Sequence, residues 1–229
     1  MPDPVMRFDT SGDGIFRRPP GVAFLLILCI PLCREPTSER VALVTFVSRK
    51  AELIRENKAS LLKIGDFLKK GDAVRTGRNS HLEITVRDQG VIRVGEQTEI
   101  RMEELILHSR ARIRLKKGRA GIFLNKLKRK GTFKVVLPTA TASVRGTRFL
   151  VRTSGRGDLF ALFNGKMKLA NKRGQSVVLN RRGEVRPTRE GPLSKEMIRP
   201  LSPEAINTMK RLEEVTRLES ELYRFQTAH

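Results

Sequence analysis

Few side chains in this sequence are placed to do covalent or metal chemistry, and many are placed to attract anions. Cys29 and Cys33 are the two cysteines, both in an apolar run, so the rest of the chain has no thiol to use as nucleophile, metal ligand or disulfide half. His81, His108 and His229 are not spaced as a zinc motif. No serine stands in a Gly-x-Ser-x-Gly context, and no glycine-rich phosphate loop is present. Glu103 and Glu104 are an adjacent carboxylate pair, but neighbours on a strand point to opposite faces, so the pair reads as solvated surface. The expectation is therefore a protein that is not an enzyme and holds no metal or cofactor. Charge is what remains. From Leu105 to Gly157 there is no Asp or Glu, while Arg110, Arg112, Arg114, Lys126, Lys128, Arg129 and Lys130 all fall in that interval. The three arginines alternate with Ala111, Ile113 and Leu115, so they project from one strand face, and the Lys126–Lys130 segment reads as the turn that follows. Together they are expected to form a single-sign face that attracts polyanions. Lys166, Lys168 and Lys172 stand apart from this face in sequence.

The elements that would carry such a face are short strands. Val41 to Val47 reads as a first strand and Ala51 to Arg55 as a second. After them come turn signals at Gly65-Asp66, Gly71-Asp72, Gly77 to Ser80, Asp88-Gln89-Gly90 and Gly95. Alternating segments lie between and beyond them, among them Leu82-Ile84-Val86, Val91 to Val94, Ile100-Met102, Ile113-Leu115, Gly121 to Leu124, Phe133 to Leu137, Ala140 to Val144, Phe149-Val151, Leu159 to Phe163, Met167-Leu169 and Val177-Leu179. Strands at such close spacing predict an all-β domain, with a β-sandwich as one arrangement and a stack of short rungs as the other. The chain changes character near its end. Glu190-Gly191-Pro192 opens a linker over 191–202, and Ser202-Pro203 is a good helix start, with Ser as cap and Pro at the first helical position. Leu212, Val215, Leu218, Leu222 and Phe225 fall within about 140° of one another at helical spacing. They predict an amphipathic helix over 203–226, packed either on the domain or on a partner.

One stretch carries more information than the rest. Pro138-Thr139-Ala140-Thr141-Ala142-Ser143-Val144-Arg145-Gly146-Thr147-Arg148-Phe149-Leu150-Val151 is a strand, a glycine break and a second strand. It resembles the FecR-like signature Pro-Thr-x-x-Ala-x-Val-Arg-Gly-Thr-x-Phe-x-Val. The family's opening half is matched by Gly71, Asp72, Thr76 and Ser80, followed by Asp88-Gln89-Gly90, by Thr98-Glu99-Ile100 and by Leu115-Lys116-Lys117-Gly118. The resemblance covers about residues 65–188 within a β domain at 45–190. It implies a compact, twisted, solenoid-like stack of short β rungs, in which Pro138, Thr139, Val144, Arg145, Gly146, Thr147 and Phe149 are structural; with the C-terminal helix read above, the expected fold is all-β with one helix at its end. The domain it resembles is named after the periplasmic half of the ferric-citrate regulator.

The leader decides the compartment. Arg17 and Arg18 precede the run from Val22 to Leu32, which at about eleven residues is too short to span a bilayer and suits a secretory signal. An apolar run, Leu32-Cys33 and then a polar stretch resembles a bacterial lipoprotein signal, which implies a signal at 1–32, lipidation at Cys33 and a tether at 33–44. A plain secretory signal and a short uncleaved anchor are the other readings, and translation starts at Met1 or Met6. The expected location is the cell envelope, as a membrane-anchored lipoprotein facing the periplasm or the cell surface, or else as a soluble exported protein.

The 229 residues carry 46 Lys and Arg against 24 Asp and Glu, a net charge of +22. With no Trp and a single Tyr, the sequence lacks the stacking platforms of a single-stranded nucleic-acid reader. The reading is a non-catalytic protein-binding or scaffold module, with an unidentified envelope protein as partner and anionic lipid or lipopolysaccharide against the basic face. The alternatives are an envelope signalling regulator and a nucleic-acid-binding protein. A direct sigma-factor regulator does not fit, because only about 20 residues precede the apolar run.

Overall fold

A computed structural model describes residues 41–106, 110–125 and 131–227, with side-chain surroundings given as far as Val215. Its strands are β1 (Ala42–Ser48), β2 (Ala51–Arg55), β3 (Lys58–Leu61), β4 (Phe67–Leu68), β5 (Ala73–Thr76), β6 (His81–Val86), β7 (Gly90–Val94) and β8 (Glu99–Ile106). They continue as β9 (Arg110–Leu124), β10 (Thr132–Val136), β11 (Ala140–Val144), β12 (Arg148–Ser154), β13 (Gly157–Asn164), β14 (Met167–Asn171), β15 (Ser176–Leu179) and β16 (Gly183–Val185). A 3-10 turn at Lys195–Met197 and the helix α1 (Pro203–Thr227) complete the chain.

The strands form two sheets that share β9. Sheet A runs β4-β1-β6-β7-β9-β12-β13-β16. Sheet B runs β3-β2-β5-β8-β9-β10-β11-β14-β15. The first half of β9 pairs with β8 and β10, and the second half with β7 and β12. The change of sheet falls at Gly118, whose φ of +93° is open to glycine and strained for other residues. An added Cβ there would lie 2.2 Å from Thr98 Oγ1 and 2.6 Å from Thr98 Cα.

After β5 the chain alternates between the two sheets while advancing along both. Hairpin β6-β7 goes to A, β8 to B, β10-β11 to B, β12-β13 to A, β14-β15 to B and β16 to A. The expected stack of short rungs is therefore present, and its two flanks are facing sheets. The inner faces share one core, with Ile84, Ile92, Ile122, Phe149 and Phe160 from sheet A and Val74, Met102, Ile113, Phe133 and Leu169 from sheet B. No rung buries its own apolar face, so each depends on its neighbours.

Several sequence boundaries move. The tether reading at 33–44 is cut short, because Val41 and Ala42 are already core and β1 starts at Ala42. Residues 33–40 lie outside the described residues, as does the signal reading at 1–32. Ile113-Leu115 and Gly121 to Leu124, read as two strands, are one strand bent at Gly118. The 191–202 linker is fastened down: Leu193 is buried, and Arg199 exchanges backbone hydrogen bonds with Glu184 at 2.8 and 2.9 Å.

The helix packs on its own domain. Ala205, Met209 and Leu212 are buried against Leu150, Leu159 and Ala161, with Phe123, Phe163 and Leu201 at the margin. These strand residues are the outward positions of β9, β12 and β13, so α1 covers the outer face of sheet A. Gly121 gives it room, since a Cβ there would come within 3.3 Å of Met209 and Leu212. The side chains of Leu218, Leu222 and Phe225 lie outside the described residues.

Candidate functional site

The residues that carried the family resemblance are fasteners. Asp72 is buried and accepts two hydrogen bonds from Arg55, Nε to Oδ1 at 2.9 Å and Nη2 to Oδ2 at 2.7 Å, and a third from the Lys69 N–H at 2.7 Å. The pairing raises the Arg55 pKa further above its ordinary value. Gly71 precedes it with φ +94° and donates its N–H to Met102 O at 2.7 Å. Thr76, also buried, donates Oγ1 to Gly95 O at 2.6 Å and accepts from Thr98 N at 3.0 Å. Ser80 Oγ accepts from Lys50 N at 3.2 Å.

The second half of the signature behaves in the same way. Thr139, next to Pro138, donates its N–H and Oγ1 to Asp158. Val144 and Phe149 are core, Gly146 has φ +62°, and Thr147 is buried with Oγ1 donating to Lys166 O at 3.3 Å. Arg145 is exposed. Buried polar groups are as a rule paired, and these are paired with turns and strands; the exception in the matched segments is Gln89, buried with neither atom of its side-chain amide hydrogen-bonded. The side chains that sequence reasoning missed are the partners, Arg55 and Asp158. Asp158 had one legible signal, as the first acid after the long acid-free interval.

The basic face is changed by its neighbour strand. Arg110, Arg112 and Arg114 do project together from β9, between buried Ala111, Ile113 and Leu115. They are not uncompensated. A bulge between Met102 and Glu104 on β8 turns both Glu103 and Glu104 toward these arginines, correcting the expectation that adjacent acids diverge. Arg114 donates to Glu103. Glu104 lies 3.9 Å from Arg110 and 4.0 Å from Arg112. Farther along, Lys116 and then Arg75 hold the Glu99 carboxyl below its ordinary range against the opposing effect of burial. The single-sign reading of this part of the face is therefore wrong. Charges that are distant in sequence become neighbours across an antiparallel pair. Lys126, Lys128, Arg129 and Lys130 lie outside the described residues.

Sheet B instead carries cations farther from β8. Lys134 stands level with Arg112 across β9 and β10, Ser143 with Lys134, and Lys168 with Ser143. Lys168, which is remote in sequence, thus shares a face with Arg112. Sheet A presents no comparable open face where α1 lies. There Arg93 and Arg148 sit over the Phe123 ring at 4.8 and 5.7 Å, while Arg148 pairs with Glu213 and Arg152 with Glu204. Glu184 secures the start of α1 by accepting from Ser202 N at 3.0 Å and Ser202 Oγ at 2.8 Å, and Ser202 Oγ in turn caps Ala205 N at 3.3 Å. Burial pushes the Glu184 carboxyl up, but Ser202 and Arg186 outweigh it and its pKa ends below the ordinary value.

A cleft of about 360 Å³ lies between the β9 bend and the β12–β13 turn, lined among others by Lys117, Arg119, Arg152 and Ser154. Arg119 is paired there with Glu96 at 2.9 Å. Among the described residues no group of three His, Cys, Asp or Glu is placed to hold a metal. No described helix is long and apolar enough to cross a membrane.

The architecture defines an all-β domain whose signature residues build turns. Residues 72–168 match the family model described as FecR protein. That match agrees with the resemblance read from its motifs. Two crystal structures of a candidate anti-sigma factor from Parabacteroides distasonis are similar to 53% of this chain at 17% identity, with TM-scores of 0.44 and 0.43. The matched region spans 56% and 57% of those chains. No curated protein matches this sequence.

Proposed function

We propose that this protein is a non-catalytic binding module of the cell envelope, exported by its leader and held there through Cys33. The observation that carries this reading is how the FecR signature is used. Asp72, Thr76, Thr139 and Thr147 are buried and bonded within the domain. That leaves recognition to an exposed surface. The outer face of sheet A is occupied by α1, so the outer face of sheet B is the open one, with a protein partner or an anionic envelope component against it. A basic surface also supports a single lipid anchor, since each cation near an anionic bilayer adds about 1 kcal/mol.

Cell fractionation with sequencing of the mature N-terminus tests the reading. The expected result is membrane-associated protein beginning at lipid-modified Cys33, with Cys33→Ser released from the membrane or left unprocessed. A cytosolic, unprocessed protein overturns it.

A further inference from the structure

We propose that the outer face of sheet B binds a linear acidic polysaccharide lying across strands β9, β10, β11 and β14. This inference rests on reading the domain as an envelope binding module. Its basis is the cross-strand row Arg112, Lys134, Ser143, Lys168. With neighbouring strands about 4.8 Å apart, the row runs roughly 14 Å across the sheet, with a cation at three of its four positions. Among the described residues, no salt bridge involves Lys134 or Lys168. Arg112 reaches Glu104 only at 4.0 Å, and its Nε has no hydrogen-bond partner.

The acids stop at β8. The outward positions of β10, β11, β14 and β15 carry lysine, hydroxyl and small apolar side chains, and none of these is buried. Cations in a line with no enclosing cleft suit an extended chain of repeated charges better than a single small anion. Hydroxyls of Thr141 and Ser143 beside the lysines both donate and accept, which matches sugar hydroxyls and carboxylates. Among the described residues the face has no aromatic ring on which a base could stack, which disfavours nucleic acid. Its apolar members, Val136, Ala170 and Val178, are too short to insert into a bilayer as large apolar anchors do.

The test uses the full chain carrying Cys33→Ser, so that no lipid contributes, and polygalacturonate oligomers as probe. The expected result is salt-sensitive binding that Lys134→Gln/Lys168→Gln weakens about tenfold with an unchanged melting temperature. The control Lys69→Gln/Lys70→Gln, at exposed positions between β4 and β5, keeps the parent's affinity. No binding by the parent, or equal losses in both double variants, overturns the proposal. So does tighter binding to phosphatidylglycerol vesicles or to oligo-dT than to polygalacturonate. Fractionation leaves these lysines untouched, so the envelope reading and the polysaccharide site can fail separately.

Discussion

Asp158 Oδ2 accepts two hydrogen bonds from Thr139, from the backbone N–H at 2.9 Å and from Oγ1 at 2.5 Å, and both residues are buried. Thr139 belongs to the β10–β11 turn of sheet B, and Asp158 to β13 of sheet A. One carboxylate oxygen therefore clasps the two sheets through the threonine of the family signature.

Removing that carboxylate leaves a buried N–H and a buried hydroxyl unpaired, at a cost of about 1–3 kcal/mol for each. Asp158→Ala is expected to lower the melting temperature sharply, and Thr139→Val to lower it less, because the backbone bond survives. In the double variant the losses should fall short of their sum, since both act on one contact. Thermal denaturation of the three variants checks this. An Asp158→Ala protein that melts with the parent would contradict it.

Gly118→Ala is expected to cost on the order of 3 kcal/mol, since the new methyl meets Thr98 at 2.2 Å on a backbone already at positive φ. Gly155→Ala serves as comparison, because nothing lies within 4 Å of a Cβ there, and its effect should stay within about 0.5 kcal/mol. Denaturant midpoints of the two variants decide the point. Equal midpoints would mean that the bend in β9 does not require glycine.

Gly146→Val places a β-branched side chain at φ +62°, in a region that such residues avoid, and should cost about 1–2 kcal/mol or more. Ser143→Ala, on the outer face three residues earlier, should shift stability by no more than about 0.5 kcal/mol. Paired melting curves read the contrast directly.

The start of α1 should weaken in acid. Glu184 titrates below the ordinary carboxylate range. Its contribution is thus fully present above that range and is lost as pH falls through its depressed value. The melting temperature of Glu184→Gln should lie below that of the parent at neutral pH, and the gap should narrow as pH falls below the ordinary carboxylate range. A gap independent of pH would show that the charge of Glu184 plays no part in holding Ser202.

The alternation of apolar residues made most strands legible, because a half-buried strand imposes period two on its sequence. It failed where that condition lapses. All four residues of β3 are exposed and β4 is two residues long, so neither has a period to read. Lys116-Lys117-Gly118 lies between two segments read separately, Ile113-Leu115 and Gly121 to Leu124, yet β9 continues through it with Gly118 as its bend. Within the candidate site, the signature residues were visible and their partners were not. Arg55 meets Asp72, Glu103 meets Arg114 and Asp158 meets Thr139 only through strand pairing or turn contacts between distant segments. For the same reason an interval without acids in sequence did not become a surface without acids, while Lys168 joined a row that its number gave no reason to expect.

The shared strand also fixes where such a domain can change length. β9 is hydrogen-bonded to β7, β8, β10 and β12, so deleting a hairpin beside it would expose an edge in the middle of one sheet, and losing β9 itself would do so in both. At the periphery the loss of a single strand merely moves the edge by one place, from β15 back to β14 or from β3 back to β2. The FecR match runs from the residue before β5 to a position inside β14, with β9 near its middle. Insertions and losses are therefore tolerable in the outlying hairpins, while the interior must be inherited whole and must unfold as one cooperative unit.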